Sequence, residues 1–442
     1  MADNKDQKVL KSSIEREQSQ TCLNSTEREK IKGSTNLNVP HLRFPEFSGE
    51  WEKCSIQDYG EVVTGNTPPT SHAEYYKNGS CLWASPADLG INKNITETKT
   101  KLSFSGFKKT RNIPKGSVLV TCIGSTIGKM GMATETMSTN QQINSIVVNG
   151  KSNSNFVYYA ICRAFPRYLS EVGVQAVPIL SKANFEKLPN YTTCRKEQDK
   201  IGYFFNLLDE RIATQNKIIE DLKLLRDAIS DAMFCTPKQS APRKRIKGFY
   251  SDWQKVHLKD ICSRVSQKNT NGRCDLVLTI AAKYGLVSQL DFFNKSVASE
   301  NLEGYYLLQK GDFAYNKSYS SEYTCGAVKR LERYEEGVLS PLYICFRPDP
   351  SKVNSDYLSY YFESTKWYRE IMDISVEGAR NHGLLNISVV DYFNTIHRIP
   401  NMDEQKCIAN VIKAIMHKIS SEQTILDCYV KQRIFLLRQM FI

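Results

Sequence analysis

A repeat that runs through most of the 442-residue chain constrains its fold more than any other feature of the sequence. Residues 47–58 (FSGEWEKCSIQD) recur as residues 249–260 (FYSDWQKVHLKD), which keeps two aromatic residues, a lysine, an apolar position and an aspartate. The pattern Glu-Gln-x-x-Ile at residues 197–201 recurs at residues 404–408. Because both pairs stand in the same order, we infer two copies of one plan, each an aromatic-led module followed by a long helix.

Each Glu-Gln pair is followed by apolar residues at alternating spacings of four and three, the pattern of a coiled-coil seam. Two seams of equal length cover each other if the helices pair antiparallel, so we predict an antiparallel coiled coil. The alternative is that each amphipathic helix packs on its own module. The predicted apolar helix-helix interface consists of Ile201, Phe205, Leu208, Ile212, Ile219, Leu222, Ile408, Ile412, Ile415, Ile419 and Leu426. Polar residues interrupt both seams at the same two places, Gln215 and Arg226 in the first and Glu422 and Arg433 in the second, and such residues specify register.

The modules combine short β-type runs with helical patches, which predicts an α+β fold of two pseudo-symmetric domains separated by the two long helices. The predicted segments are a disordered polar tail (1–38), a first module (39–194), a first helix (195–236), a basic linker (237–247), a second module (248–401) and a second helix (402–442). Two prolines and clustered cations in the linker indicate a solvated segment.

The composition is typical of a globular protein with a polyanionic partner. A hydrophobic content of 41% supports packed cores, and 442 residues predict two or three domains. We find no stretch of about 18 or more apolar residues and no secretory leader, so we expect a cytoplasmic protein without a membrane span. The net charge of +12 favours binding to nucleic-acid phosphates. The 13 cysteines form no Cys-x-x-Cys pair and are expected to be reduced.

The sequence contains no motif for catalysis or metal binding. Residues 123–129 (IGSTIGK) look like a phosphate-binding loop, but such a loop needs glycine in place of Ile123 and serine or threonine in place of Met130. We find neither the Asn/Asp-Pro-Pro-aromatic motif of adenine methylation nor a glycine-rich nucleotide-binding turn. The six histidines are dispersed, without metal-ligand spacing. We therefore expect no catalytic residue, no metal and no cofactor in this chain.

Ordered motifs in both modules resemble those of a known family. The motifs of the first module are residues 64–68 (TGNTP), 83–89 (WASPADL), 114–119 (PKGSVL), 124–129 (GSTIGK) and 139–142 (TNQQ). Those of the second are residues 284–287 (YGLV), 310–312 (KGD), 315–317 (YNK), 340–343 (SPLY) and 378–380 (GAR). They resemble two different subgroups of the target-recognition domains of type I restriction-modification specificity subunits, and the resemblance covers residues 40–442. One departure is Pro400, which stands where the first copy has Thr193 and predicts that the two helices start with different bends.

The resemblance implies a non-catalytic subunit that reads an asymmetric bipartite target in double-stranded DNA. It implies two modification (methyltransferase) subunits and restriction subunits as partners, which would bind the S-adenosylmethionine, ATP and magnesium.

Loop side chains that can match the donors and acceptors of the major groove are the candidate DNA contacts. They are Asn66, Thr67, Ser85, Ser125, Thr126, Lys129, Asn140, Gln141 and Gln142 in the first module and Asn316, Lys317, Ser318 and Arg380 in the second. The alternative role of each residue is to set turn geometry. The competing functions are a stand-alone DNA methyltransferase or nuclease and a structural coiled-coil protein that does not bind nucleic acid.

Overall fold

The computed structural model describes residues 38–90, 92–171, 179–281, 284–293, 302–320, 322–375 and 383–442. It divides into two compact units. Unit 1 consists of Met1–Ala213 and Cys428–Ile442, and unit 2 consists of Thr214–Asp427. The predicted polar tail, except for its last residue, lies outside the described part of the chain.

Unit 1 is a mixed α/β structure. Its strands are β1 (Glu52–Ser55), β2 (Gly60–Thr64), β3 (Cys81–Ala84), β4 (Asn94–Ile95), β5 (Thr100–Leu102), β6 (Asn112–Ile113), β7 (Val118–Thr121), β8 (Met130–Ala133), β9 (Met137–Thr139), β10 (Ile143–Val148) and β11 (Pro189–Thr192). Its helices are α1 (Ile56–Tyr59), α2 (Phe104–Phe107), α3 (Ser154–Glu171), α4 (Lys182–Glu186) and the first half of α5 (Arg195–Met233), with a 3₁₀ helix at Ala73–Tyr75. The strand orders are β2-β10-β7-β8-β4, β5-β3-β9-β6 and β1-β11.

Unit 2 is also mixed. Its strands are β12 (Gln254–His257), β13 (Cys262–Arg264), β14 (Leu278–Ala281), β15 (Gly285–Ser288), β16 (Tyr306–Gln309), β17 (Phe313–Asn316), β18 (Ala327–Arg330), β19 (Glu336–Leu339), β20 (Ile344–Pro348) and β21 (Ile396–Ile399). Its helices are α6 (Leu258–Ile261), α7 (Gln289–Phe293), α8 (Ser355–Glu363), α9 (Tyr368–Ile374), α10 (Val389–Phe393) and most of α11 (Met402–Met440), with a 3₁₀ helix at Thr270–Gly272. The strand orders are β13-β20-β17-β18, β12-β21, β14-β15 and β16-β19.

The two units share a strand plan. In unit 1, β1 pairs antiparallel with β11, the strand immediately before α5 in the sequence. In unit 2, β12 pairs antiparallel with β21, the strand immediately before α11. The strand order β2-β10-β7-β8 likewise has its counterpart in β13-β20-β17-β18. The repeat in the sequence therefore corresponds to a repeat of sheet topology.

Aromatic side chains are prominent in the largest core cluster of each unit. Trp51 and Trp253, the tryptophans of the repeat, are both 2% exposed. In unit 1, the rings of Trp51 and Phe156 meet edge to face with centroids 5.6 Å apart. In unit 2, the rings of Tyr315 and Tyr392 stack at 4.6 Å. Because each buried aromatic ring removes about 150–250 Å² from water, these clusters account for much of the burial around each sheet.

The glutamate of each Glu-Gln pair anchors the start of a long helix. Glu197, which is fully buried, accepts two hydrogen bonds from the guanidinium of Arg43, at 2.7 and 2.8 Å. Glu404, also fully buried, accepts two from Arg245, both at 2.8 Å. Hydrogen bonding to the carboxylate raises the pKa of each arginine. Within the predicted solvated linker, Arg245 is an exception, because its charge neutralises a buried carboxylate of unit 2.

The glutamine of each pair makes the same bond in both copies. Gln198 Nε2 donates to the carbonyl oxygen of Thr193 at 2.7 Å, and Gln405 Nε2 donates to that of Pro400 at 2.9 Å. The bond uses a carbonyl oxygen, which proline retains although it lacks an N–H. The proline at position 400 therefore does not change this hydrogen bond, although the sequence predicted different bends at the starts of the two helices.

Both long helices have 39 residues, and each contributes to both units. None of the predicted apolar interface residues is classed as exposed. In unit 1, Ile201 and Phe205 share a core cluster with Leu437, Met440 and Phe441. In unit 2, Met233 shares a cluster with Ile408 and Ile412. Within each unit, the beginning of one helix thus packs with the end of the other.

The polar seam residues have different partners in the two units. In unit 2, Gln215 Nε2 donates to the carbonyl oxygen of Glu422 at 3.0 Å and also to its carboxylate. In unit 1, Arg433 pairs with Asp209 at 2.5 Å. Arg226, which stands at the corresponding place in the first seam, pairs instead with its neighbour Asp227 at 2.7 Å. The polar residues of the two seams therefore stand at corresponding positions, but Arg226 and Arg433 have partners of different location.

Among the described residues, no helix combines the length and the apolar character that crossing a membrane requires.

Candidate nucleic-acid interface

Several loops of unit 1 meet at the turn formed by residues 140–142. Backbone hydrogen bonds join this turn and its flanks to the ends of three other strands. The donors and acceptors are Asn66 N to Thr139 O at 2.9 Å, Asn140 N to Ala84 O at 2.9 Å and Cys122 N to Gln142 O at 2.8 Å. The candidate residues after β2, β3, β7 and β9 are thereby brought to one place in unit 1.

Two candidate side chains are exposed and bonded to each other at this place. Thr67 Oγ1 donates to Gln141 Oε1 at 2.5 Å, and both residues are exposed. Side chains of this kind, presented on loops held by a sheet, can read base edges. Asn66 lies beside them and uses both ends of its amide, donating to the carbonyl oxygen of Lys109 at 2.9 Å and accepting from Arg111 N at 2.8 Å.

The loop between β7 and β8 carries Ser125, Thr126 and Lys129. Ser125 is exposed, whereas Thr126 and Lys129 are half-buried. Gly124 and Gly128 bound the loop with φ angles of 93° and 90°, a left-handed conformation that glycine adopts without strain. The glycines of the motif therefore set the loop shape, and Ser125 is the side chain that the loop presents to solvent.

Three other candidates have bonds that maintain the loops. Ser85 Oγ and Ser85 N both donate to Asp88 Oδ2, at 2.7 and 2.9 Å, which closes a local turn. Asn140 is 7% exposed, and its Nδ2 donates to Gln142 Oε1 at 3.1 Å. Gln142 Nε2 donates to Ile123 O at 3.4 Å. The hydrogen bonds of Ser85 and Asn140 thus fit the alternative role, in which these residues set the geometry of turns.

A partly buried cation that the sequence did not reveal connects the loop before β4 to two helices of unit 1. Lys93 Nζ donates to Asn155 Oδ1 at 2.7 Å, to Tyr159 OH at 2.9 Å and to Asn206 Oδ1 at 2.9 Å. Burial lowers the pKa of Lys93 to about 8, although Asp209 opposes the shift. Tyr159 OH in turn donates to Asp209 Oδ2 at 2.5 Å. This network ties the loop to α3 and α5.

In unit 2, the candidates lie at the end of β17. Asn316 Oδ1 accepts from Ser318 N at 2.9 Å, which makes a local turn. Lys317 O accepts from Leu385 N at 2.9 Å. Ser318 is exposed and Lys317 is half-buried. Arg380 lies outside the described residues, so the structure groups only three of the four candidates of the second module.

Across the described ranges, no group of three or more His, Cys, Asp and Glu side chains has an arrangement that could hold a metal ion. One histidine of unit 2 is deeply buried. His397 lies between Tyr361 OH, 3.0 Å from Nδ1, and Thr395 Oγ1, 2.8 Å from Nε2. Burial lowers the pKa of His397 to about 3, with a smaller contribution from His257. A histidine held neutral between two hydroxyl groups is part of the core of unit 2.

Comparisons with known proteins find sequence similarity in the first part of the chain. Residues 48–224 match the family model described as the type I restriction modification DNA specificity domain. The HindI specificity subunit of Haemophilus influenzae is 30% identical over 151 residues, which are 33% of this chain and 32% of that protein. The MjaIX specificity subunit of Methanocaldococcus jannaschii is 29% identical over 189 residues, 40% of this chain and 42% of that protein. The matched regions span less than half the length of these relatives.

Two solved structures share the fold over most of the chain. The S subunit of a type I restriction-modification system from M. genitalium has a TM-score of 0.54 at 15% identity, covering 91% of this chain and 99% of that one. A chain from a structure of type I complex assembly and conformational transition has a TM-score of 0.54 at 13% identity, with the same coverage of 91% and 99%. At these identities the likeness concerns the fold.

Proposed function

The chain carries a type I restriction-modification DNA specificity domain over residues 48–224, and from this premise we propose that the whole chain is the DNA specificity subunit of such a system. The family match is the observation that carries the proposal. It contains all the loops of unit 1 that meet at residues 140–142. The shared strand plan of unit 2 supports a second reader in the same chain.

In this proposal, the two units read the two different halves of a bipartite target in double-stranded DNA. Thr67, Ser125 and Gln141 of unit 1 are exposed at the gathered loops and read base edges. Asn66 and Gln142 hold these loops in position, as do the turn-forming Ser85 and Asn140. The remaining candidates, which contribute to the same two surfaces, are Thr126, Lys129, Asn316, Lys317, Ser318 and Arg380.

The subunit itself is proposed to be non-catalytic. Methylation of adenine and cleavage of DNA belong to two modification subunits and to restriction subunits, which bind S-adenosylmethionine, ATP and magnesium in the cytoplasm. Two units with one strand plan suit two copies of one partner. Exposed apolar side chains on the long helices, such as Leu224 (67% exposed) and Phe435 (58%), support helical contact with those partners.

The long helices are proposed to pair antiparallel and to set the distance between the two readers. A helix of 39 residues is about 58 Å long at about 1.5 Å per residue. This length exceeds the roughly 34 Å that separates half-sites in compact dimers. We therefore expect several base pairs that are not read between the two halves of the target.

The test is methylation-sensitive sequencing of the host genome with the chain intact and with the chain deleted. We expect one bipartite, non-palindromic adenine-methylation motif to disappear on deletion and to return when the intact gene is restored. Persistence of every motif after deletion would contradict the proposal. Methylation or cleavage of DNA by the purified chain without a partner would favour an enzyme instead.

A further inference from the structure

The most one-sidedly charged stretch of unit 1 lies next to the gathered loops. Residues 98–134 contain seven lysines and arginines and neither aspartate nor glutamate. Within this stretch, Lys108, Lys109 and Arg111 are exposed. A surface of this charge complements DNA phosphates, since each neutralised phosphate releases counterions.

Hydrogen bonds fix this basic stretch against the candidate base-reading loop. Asn66 Nδ2 donates to Lys109 O at 2.9 Å, and Arg111 N donates to Asn66 Oδ1 at 2.8 Å. Arg111 Nη1 donates to the carbonyl oxygen of Thr64 at 2.9 Å. The cations are therefore held beside Thr67, which is itself bonded to Gln141.

A large aromatic ring stands exposed on the same stretch. Phe104 is 66% exposed and is the first residue of the short helix α2. The Nζ of Lys108 lies 4.6 Å from the centroid of its ring, so the apolar ring and the cation occupy one patch.

The helix that carries Phe104 is fixed from below. Ser103 caps α2 by accepting from Gly106 N at 3.3 Å. Ser103 N also donates to Tyr75 O at 2.8 Å. A Cβ at Gly106 would lie 2.5 Å from the same oxygen of Tyr75, so glycine permits this close approach. These contacts hold α2 in place, and in this position the ring of Phe104 is exposed.

We propose that residues 103–111 form a second DNA-contact element of unit 1, beside the loop that carries Thr67. Lys108 and Lys109 bind the phosphate backbone, and the ring of Phe104 contacts a thymine methyl group in the major groove. An apolar side chain distinguishes thymine from the other bases in this way. This inference rests on the proposed function, because it assumes that unit 1 binds a specific sequence.

The experiment uses the full chain in complex with its modification subunit and a duplex that carries the methylated motif. Binding is measured for the unaltered complex, for Phe104→Ala and for Lys108→Ala/Lys109→Ala. Tyr250→Ala removes an aromatic ring that is 85% exposed in unit 2 and is the control for Phe104. Lys151→Ala removes an exposed cation outside the stretch and is the control for the lysines.

We expect Phe104→Ala to weaken binding to the motif by about five- to tenfold, the lower range for loss of one base contact. Binding to unrelated DNA should be nearly unchanged. We expect the double lysine variant to weaken binding to both DNAs and to reduce the slope of log affinity against log salt by about two. Both controls should bind as the unaltered complex does.

Replacing single thymines of the motif with uracil tests the ring contact, because uracil lacks only the methyl group. At one thymine of the half-site read by unit 1, uracil should weaken the unaltered complex several-fold and leave Phe104→Ala unaffected. The inference is overturned if Phe104→Ala binds the motif as tightly as the unaltered complex. It is equally overturned if the variant stays sensitive to every uracil that affects the unaltered complex. An unaltered complex without preference for the motif would instead reject the proposed function.

Discussion

Two residues separated by about 150 positions form the most deeply buried ion pair of unit 1. Glu197 and Arg43 have side chains that are 0% and 11% exposed. Removing the arginine would leave the buried carboxylate of Glu197 without its cationic partner. Such uncompensated charges destabilise a fold strongly, whereas surface ion pairs contribute little.

We predict that Arg43→Ala destabilises unit 1 by about 3–5 kcal/mol. The matched control is Arg195→Ala, because Arg195 pairs with Asp199 on the surface, with side chains 48% and 49% exposed. The control should cost below about 1 kcal/mol. Hydrogen exchange of unit 1 peptides in the full chain measures both changes. Equal losses of stability in the two variants would show that the buried ion pair contributes no more than the surface pair.

The neutral His397 makes unit 2 sensitive to acid. Its pKa in the folded state is about 3, below the value of about 6.5 that an unfolded chain gives. Between these two pH values, His397 is therefore protonated in the unfolded state and neutral in the folded state. Above about pH 6.5 His397 does not reduce the free energy of unfolding of unit 2. As the pH falls from there towards 3, this free energy decreases by up to about 1.4 kcal/mol per pH unit.

We predict that His397→Gln reduces this dependence on pH. Glutamine retains a donor and an acceptor for Tyr361 and Thr395 but does not titrate. The urea midpoint of unit 2 should fall between pH 7 and pH 5 more steeply in the unaltered chain than in the variant. Identical slopes would mean that other groups cause the acid sensitivity.

Single residues were the least predictable feature of the sequence. The motif around Ser85 was recognisable, but only the structure shows that its hydroxyl group binds Asp88. Arg43 and Arg245 could not be assigned because their glutamates lie 154 and 159 positions away. The absence of carboxylates from residues 98–134 was the one available signal for the element around Phe104.

At the scale of elements, Gln215 and Glu422 form a polar pair within the otherwise mostly apolar seam of unit 2. Gln215 and Glu422 are both 7% exposed in helices whose other seam positions are mostly apolar. Hydrogen bonds from Lys418 and Gln215 lower the pKa of Glu422, so its carboxylate is charged at neutral pH. A polar pair of this kind favours one register over others at some loss of stability.

We predict that the double variant Gln215→Leu/Glu422→Leu raises the melting temperature of the full chain, because an apolar pair fills the seam without desolvating a charge. Gln215→Leu alone should lower it, since the hydrogen bonds to the carbonyl oxygen and the carboxylate of Glu422 are lost and not replaced. Calorimetry of the three chains gives the comparison. A double variant that melts below both the single variant and the unaltered chain would contradict this account.

Helices were more predictable than sheets for a physical reason. Seam residues repeat every three or four positions, so α5 and α11 can be read locally. Sheet pairing joins distant segments, as when Trp83 of β3 meets Ser138 of β9 in parallel register. The sequence showed short β-type runs, but no local pattern specified the strand order β2-β10-β7-β8-β4.

At the scale of the whole molecule, one strand plan used twice with different loops leads to a prediction about the target. If each unit reads one half, exchanging residues 40–190 for the same region of another specificity subunit should change one half of the methylated motif. The other half and the spacer should stay as they were. Methylome sequencing of cells carrying the hybrid chain decides the matter. A motif rewritten in both halves would refute separate reading.

The participation of residues 428–442 in unit 1 has a consequence for how the protein is made. The ring of Phe441 packs on Phe156 and Trp51, with centroids 5.4 and 5.9 Å away. A ribosome finishes all of unit 2 before it reaches Phe441, although domains commonly fold in the order of their synthesis. Unit 1 is therefore begun first and completed last. While unit 2 is translated, the aromatic cluster of unit 1 lacks the ring of Phe441, and transiently exposed apolar surface of this kind makes a nascent chain prone to aggregation.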